Sequence, residues 1–532
     1  MAVISTFDIQ FTPIHILLVA LTAACCLVLV GSICWKYFSI PLQSASLPPS
    51  PPQHWFWGNK SFLNRPYRHV LLGTEYKKQL GDIISVVTPL RVTVYINTME
   101  LVTELLEKQT ASTSDRPRDV MVNEILGWNT AVGFHKHDER HKKMRRVLAS
   151  ALHPTAARSY APQHLNKTLD FLRKVAGKPE SFMEIANQVS GAFILRLAYG
   201  YESGAENDPF LAMVHGSFRY LSKATSTYFM VNDFPVLKHL PSWLPGAGFQ
   251  RFGKEGRELR LRYADETFNM VFDQVCEGRV EQPSYVSGLL ESKGGANASR
   301  EDIDLVKWSA ASLFTAGSTT TAAVINAFIL MMALHPEAAE EAQAEIDSVI
   351  GRERIPDLHD RSSLPYMEAL LQEVMRMCPV VPLGLAHLTT DDIDFHGYRI
   401  PKGTTIHPNI WAILHDPNHY SSPHKFNPSR FLKSTPDSDP RKFIFGFGRR
   451  ICPGSHVANN SSWIMCAGLL SVFNIRASVQ LDAKVRNLGG RESERLFQMF
   501  IPHGLFGDAL PFSCSITFRD SAALALLENS SS

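Results

Sequence analysis

The run Phe445-Gly446-Phe447-Gly448-Arg449-Arg450-Ile451-Cys452-Pro453-Gly454 sets a single cysteine in a glycine-rich turn, two positions after an arginine. A thiolate is a strong donor to iron. To persist near neutral pH it needs a lowered pKa, which backbone N–H groups and a following helix N-terminus provide. Gly446, Gly448 and Gly454 let the backbone turn tightly and approach a flat macrocycle without a Cβ clash. Pro453 suits a first helical position, so a helix is predicted to begin there and run through Ala458–Leu470. Arg450 can offer its fork to a carboxylate, and Phe445 would keep water from the sulfur.

Other residues point to the support such a centre needs. Glu373 and Arg376 stand three apart, on one face of a helix. Thr315, Ser318, Thr319, Thr320 and Thr321 crowd around Gly317 within the charge-free stretch Ser309–Leu334. Hydroxyls in mid-helix mark either back-bonding or a ligand cavity. The stretch is apolar enough for a membrane span, but this polar patch favours a central helix through a large soluble core. Strand patterns come at Ile83–Val87 and Arg91–Ile96. Helical patterns follow at Glu139–Leu152, Leu165–Val175, Glu184–Leu197, Asp302–Leu334 and Ala338–Val349. After Arg376 short strand-like runs appear, such as Phe395–Ile400 and Thr404–Ile410. The predicted fold is mainly α with small β-sheets, one large domain over residues 57–532.

Upstream, Ile14–Ile33 carries no charge over a length that matches a bilayer's hydrocarbon core. No basic region precedes it, and Lys36, Lys60, Arg65 and Arg68 follow. A transmembrane helix with the rest of the chain in the cytosol is therefore preferred to a cleaved signal peptide. The expected organisation is a lumenal stub at 1–11, the transmembrane helix at 12–35 and a stiff Pro-rich linker at 36–56. The net charge of +2 over 532 residues gives no reason to expect a nucleic-acid partner. None of the eight cysteines forms a CxxC pair, so neither a zinc site nor a disulfide framework is suggested.

The cysteine loop resembles, at its full spacing, the haem-binding loop of the cytochrome P450 family, and the likeness extends over essentially the whole chain. That resemblance implies haem b with Cys452 as the axial iron ligand, Phe445, Gly448, Arg450 and Gly454 around it, and O2 as co-substrate. Glu373-Val-Met-Arg376 is similar to the family's Glu-x-x-Arg. Phe426-Asn-Pro428-Ser-Arg430-Phe431 resembles the loop that completes a buried triad of Glu373, Arg376 and Arg430. Ala316–Thr321 resembles the oxygen-activation segment, with Thr320 at the position whose hydroxyl assists proton delivery. Thr319 stands where the family carries Asp or Glu, which puts the ordinary relay in doubt. Arg145 matches a propionate-binding arginine, His141 stands where tryptophan is usual, and His387, within Pro382–Leu388, is a further candidate propionate partner.

The resemblance further implies a monooxygenase acting on an apolar small molecule. Spellings such as PVVPLGLAHLTTDD are similar to fungal members that tailor secondary metabolites, so a terpenoid or polyketide-like substrate is expected. With no GxGxxG after a strand and no flavin domain, electrons from NADPH are expected through a separate NADPH–cytochrome P450 reductase. Lys142, Lys143, Arg146, Arg441, Lys442 and Arg449 would form a basic patch to steer it. Membrane lipid is the other expected partner, in the endoplasmic reticulum. The apolar Pro235–Phe249 reads equally as a membrane-dipping loop around Trp243 or as a buried connection. Gln498–Leu505 is predicted as a strand-like pocket wall. Two other readings stand beside this one: a reductase-independent haem-thiolate isomerase or synthase acting on a peroxide, motivated by Thr319, and a non-catalytic haem carrier or sensor.

Overall fold

The computed structural model describes residues 47–529 except 56, 205–206 and 501–504, together with Gly31. The expected lumenal stub, the transmembrane helix (Gly31 apart) and most of the linker lie outside the described residues. Pro49 and Pro51 already belong to the folded body: their carbonyls accept from the Ser85 N–H and the Asn59 side-chain amide, each at 2.8 Å.

The long helices, in chain order, are α1 (Glu139–Leu152), α2 (Ala161–Gly177), α3 (Phe182–Tyr199), α4 (Pro209–Ser226), α5 (Gly248–Cys276), α6 (Arg300–Leu334), α7 (Pro336–Val349), α8 (Pro365–Met377) and α9 (Ser455–Val472). Several start where local chemistry dictates. Asp138 caps α1 by accepting the His141 N–H, Ser299 caps α6, and Asp208 caps α4 ahead of Pro209. The helical patterns read between Glu139 and Val349 are all present. α4 and α5 were not foreseen. The first half of the buried face of α5 carries only Gly253, Gly256 and Arg260, and the apolar stripe is confined to the second half, at Tyr263, Ala264, Phe268 and Val271. Arg260 is buried between the indoles of Trp128 and Trp308, at 5.0 and 4.6 Å from their ring centres.

α6 is the axis of the molecule. It is apolar enough to cross a bilayer, yet 72% of its most apolar window is buried inside the protein. Its residues up to Phe314 join a core with α1, α3, α4 and α5, and those from Ala322 onward join a second core with α2, α7, α8 and α9. The segment between the two cores is the hydroxyl-rich 315–321. Gly317 lets α3 come close there, since a Cβ would stand 2.7 Å from Ile194 Cδ1.

One sheet has the order β1-β2-β6-β3, from Ile83–Thr88, Arg91–Ile96, Thr405–Pro408 and His387–Leu388. β2 and β6 are parallel, and the other neighbours are antiparallel. β7 (Phe473–Ala477) and β8 (Cys514–Phe518) form a hairpin-like pair. β4 (Ile393–Phe395) and β5 (Tyr398–Ile400) form a hairpin in a separate compact unit. His396 and Gly397 turn it, both with positive φ, the geometry that suits strand twist. The predicted strand at Gln498–Leu505 is not formed in its described part: helix runs to Phe497, and Phe500 makes one isolated bridge to Ala509.

Candidate active site

The cysteine loop is built on two left-handed glycines, Gly446 at φ 84° and Gly448 at φ 54°. Gly448 is also pressed against the preceding chain, where a Cβ would lie 2.5 Å from the Leu106 carbonyl oxygen. The Cys452 N–H donates to the Phe445 carbonyl at 2.7 Å, closing the loop. The helix that follows begins at Ser455, not at Pro453 as predicted. Pro453 and Gly454 are spent instead on the turn that sends the Gly454 N–H to the cysteine sulfur. Burial pushes the Cys452 thiol up, while that N–H and the Arg145 guanidinium pull it down. A coordinated cation would complete the shift to thiolate.

Cys452 opens onto a cavity of about 320 Å³, walled also by Phe445 and, from α6, by Ala316, Gly317 and Thr320. The Thr320 hydroxyl donates to the Ala316 carbonyl at 2.7 Å. Thr319 is outside this wall, its Oγ1 3.4 Å from the Thr315 carbonyl. Thr315, unremarked as a site residue, is in the wall and shares a 2.7 Å hydrogen bond with the Tyr263 hydroxyl. Much of the remaining wall is aliphatic and aromatic, including Phe193, Ile194 and Phe218.

Arg116, Arg145 and Arg450 all line this cavity, with His141 and His387. Arg116 was missed from sequence, because a lone arginine in a loop carries no spacing signal. Burial, with Arg450 and Arg145 nearby, pushes its guanidinium well below the usual value, and Asp115 offsets this only in part. Arg450 is lowered to about 10, chiefly by burial. His387 Nδ1–H donates to the Thr113 carbonyl at 2.8 Å, and burial with Arg116 holds the ring down to about 3. His141 is likewise held to about 3 by burial, Arg450 and Arg145. Cations crowded in this way call for an anionic guest. A macrocycle with two carboxylates fits this lining: Cys452 would hold its metal and the arginines would hold its acids. Arg450 needs correction as a simple carboxylate fork. Its Nε and Nη2 donate to the Ser114 and His135 carbonyls at 2.7 and 2.9 Å, so only part of its donor set faces the guest.

The expected triad is formed and fully buried. Arg376 grips Glu373 with two hydrogen bonds of 2.7 and 2.9 Å, and Arg430 Nε reaches the same carboxylate at 3.0 Å. Asp437, not foreseen, takes a second Arg430 nitrogen at 2.9 Å. The basic patch is thinner than predicted. Arg441 is half-buried and bound to Glu368 and Asp439, because the fold brings those acids to it. Lys142 and Lys143 are exposed but pair with Glu139 and Glu301, which leaves Arg146, Lys442 and Arg449 as the exposed cations with no carboxylate partner among the described residues. Trp243 is 76% exposed, which removes the buried-connection reading of Pro235–Phe249.

Comparison with known proteins agrees with this arrangement. The cytochrome P450 family profile matches residues 48–488. Cytochrome P450 monooxygenase 208 of Postia placenta is 37% identical over 84% of this chain and 85% of its own length. Cytochrome P450 monooxygenase claR of Ampulloclitocybe clavipes is 35% identical over 91% of this chain and 88% of its own. Cytochrome P450 monooxygenase ppsD of Aspergillus oryzae is 35% identical over 91% and 90%. A profile spanning most of the chain, on a cavity where Cys452 of the glycine loop faces a set of arginines, makes this chain a member of the cytochrome P450 monooxygenase family.

Proposed function

We propose that this enzyme uses O2, and electrons from an NADPH–cytochrome P450 reductase, to oxidise an apolar secondary metabolite of terpenoid or polyketide type at a membrane surface. The observation that carries the reading is the meeting in one cavity of Cys452, three arginines and the Ala316–Thr320 groove of α6. Haem, when bound, would supply the oxygen activation, favoured by electron donation from the Cys452 thiolate.

The chain's own residues do the rest. Cys452 Sγ would hold the iron, with the Gly454 N–H spreading its charge. Arg116, Arg145, His141, His387 and the free N–H groups of Arg450 would hold the propionates. A bound carboxylate would also raise both histidines, reversing the push from the arginines. Thr320 keeps its own proton on the Ala316 carbonyl, which leaves its oxygen lone pairs to accept from water in the cavity. Thr319 has no acidic proton to give, so water at Thr320 or the Thr315–Tyr263 hydroxyl pair serves the relay. The exposed Val236, Leu240 and Trp243 support contact with lipid, and the exposed Arg146, Lys442 and Arg449 support docking of an acidic reductase.

The test uses the full chain in vesicles with reductase. The reduced carbon-monoxide complex is expected to show the red-shifted Soret band, and Cys452→Ala to lose it; a band retained in the variant sinks the reading. Extract of the host lacking this gene, incubated with NADPH and isotopically heavy O2, is expected to yield a product carrying one heavy atom. Product formed without NADPH or reductase would favour the peroxide-consuming alternative.

A further inference from the structure

Next to the cavity that holds Cys452 lies a second, of about 210 Å³, and the two share Arg116, Gly133, Phe134 and Leu385 as a common wall. The second cavity is lined by charge. Arg91 is accounted for: its Nε lies 3.5 Å from Asp233, and its Nη2 donates to the Asn232 carbonyl at 2.7 Å. Asp233 takes the Tyr228 hydroxyl as well, and Asp119 takes the Val122 N–H and the Asn232 amide at 2.8 and 2.9 Å. Arg116 is held by the carbonyls of Gly133 and Leu385 and serves the first cavity.

Arg68 is the charge left over. Its Nη1 donates to the Leu63 carbonyl at 2.9 Å and it hydrogen-bonds the Tyr95 hydroxyl. Its Nε is buried and bonded to nothing. Among the described residues no carboxylate lies within ion-pair distance of it. Tyr95 stacks on His407 with ring centres 5.3 Å apart, and burial and Arg68 hold that histidine down to about 4, so it adds no acid. A part-buried guanidinium with one idle N–H and no counter-ion is costly unless something fills the site.

We propose that this second cavity binds the carboxylate end of the substrate through Arg68 and the Tyr95 hydroxyl, its apolar body extending past Phe134 and Leu385 toward Cys452. The inference rests on the proposed function and narrows it: the substrate is an amphiphile with one anionic end and the oxidised carbon at a distance from it. Recognition of this kind fixes which carbon is presented, because the charged end is pinned while the rest only fills space.

The test titrates the full-length, haem-loaded protein with dodecanoate and with methyl dodecanoate, following the Soret shift and, independently of the iron, the heat of binding. The acid is expected to bind about 10- to 100-fold tighter than the ester, the worth of one charged hydrogen-bonded contact. Arg68→Gln is expected to bring that ratio near one with haem content and the carbon-monoxide band unchanged. Arg68→Lys keeps charge without the fork and is expected to fall between. An ester that binds as well as the acid, no response to dodecanoate, or an unchanged ratio in Arg68→Gln overturns the proposal. Haem loss in Arg68→Gln also overturns it, since Arg68 would then serve the propionates. If Arg68→Gln cannot be isolated, a native ratio in Arg68→Lys overturns it. A missing carbon-monoxide band in the unaltered protein would instead refute the haem-thiolate reading, and calorimetry would still decide the role of Arg68.

Discussion

Replacing Glu373 by Gln removes the carboxylate that Arg376 and Arg430 share while leaving the shape of the side chain. All three groups are fully buried. After the change Arg430 keeps Asp437. Arg376 keeps no anion, only the backbone carbonyls of Leu414, Pro423 and Lys425 at 2.8, 2.7 and 3.2 Å, the Met377 sulfur at 2.9 Å and the face of Tyr420. Leaving a buried cation without its anion costs about 3–5 kcal/mol. That is a large share of the ~5–15 kcal/mol that separates most folded proteins from unfolded ones. The control is Glu266→Gln. Glu266 meets Arg262 at 2.6 Å, a contact as short as those of Glu373, but both partners face solvent. Exposure decides here, and the control is expected to cost about 0.5 kcal/mol or less. Urea unfolding followed by tryptophan fluorescence reads both, since Trp411 and Trp463 are buried reporters. Equal shifts in midpoint for the two variants would refute the reasoning.

Thr320→Ala is expected to cut product formation about tenfold or more while NADPH consumption continues and peroxide accumulates; Thr319→Ala, outside the cavity wall, is expected to change coupling little. Arg116→Gln is expected to speed haem loss to an apomyoglobin scavenger about 10- to 100-fold, with exposed Arg146→Gln as the unaffected control. Buried histidines set an acid limit. Burial holds His69 down to about 3 and His164 to about 4, from an ordinary value of 6.5. Above pH 6.5 both are neutral folded and unfolded, so their contribution is complete. Below it only the unfolded chain takes up the protons, and each histidine costs about 1.4 kcal/mol per pH unit until its folded value is reached. Unfolding midpoints measured from pH 7 to pH 5 check this, and His69→Gln is expected to remove one histidine's share of the slope.

What the sequence made legible was local. Phe445–Gly454 could be read because glycines, arginine and cysteine stand within ten positions, and α1, α3 and α6 could be read from periodicity. Asp437 could not, since a carboxylate seven places after Arg430 matches no helix or strand spacing, and Arg116 could not, since it meets Leu385 and Arg450 only when distant segments come together. Arg441 looked like a free surface charge for the same reason: nothing near it in the chain announces Glu368. The start of α9 was misplaced because Pro453 carries a strong helix-start signal, while the sulfur's demand for the Gly454 N–H delays the helix to Ser455. The first half of α5 was silent because glycine and arginine pack its inner face, which leaves the apolar stripe to Tyr263, Ala264, Phe268 and Val271.

The composition of α6 also bears on how the chain is made. Its second half is shielded partly by α3, synthesised earlier, and partly by α9, which starts about 120 residues after α6 ends. At ~5–20 residues per second the ribosome needs roughly 6–24 s to supply that cover. Throughout this interval a segment that a lipid bilayer would accept stands half-clothed outside the exit tunnel. Slowing translation between α7 and α9 is therefore expected to lengthen the window in which the segment is open to aggregation or misinsertion.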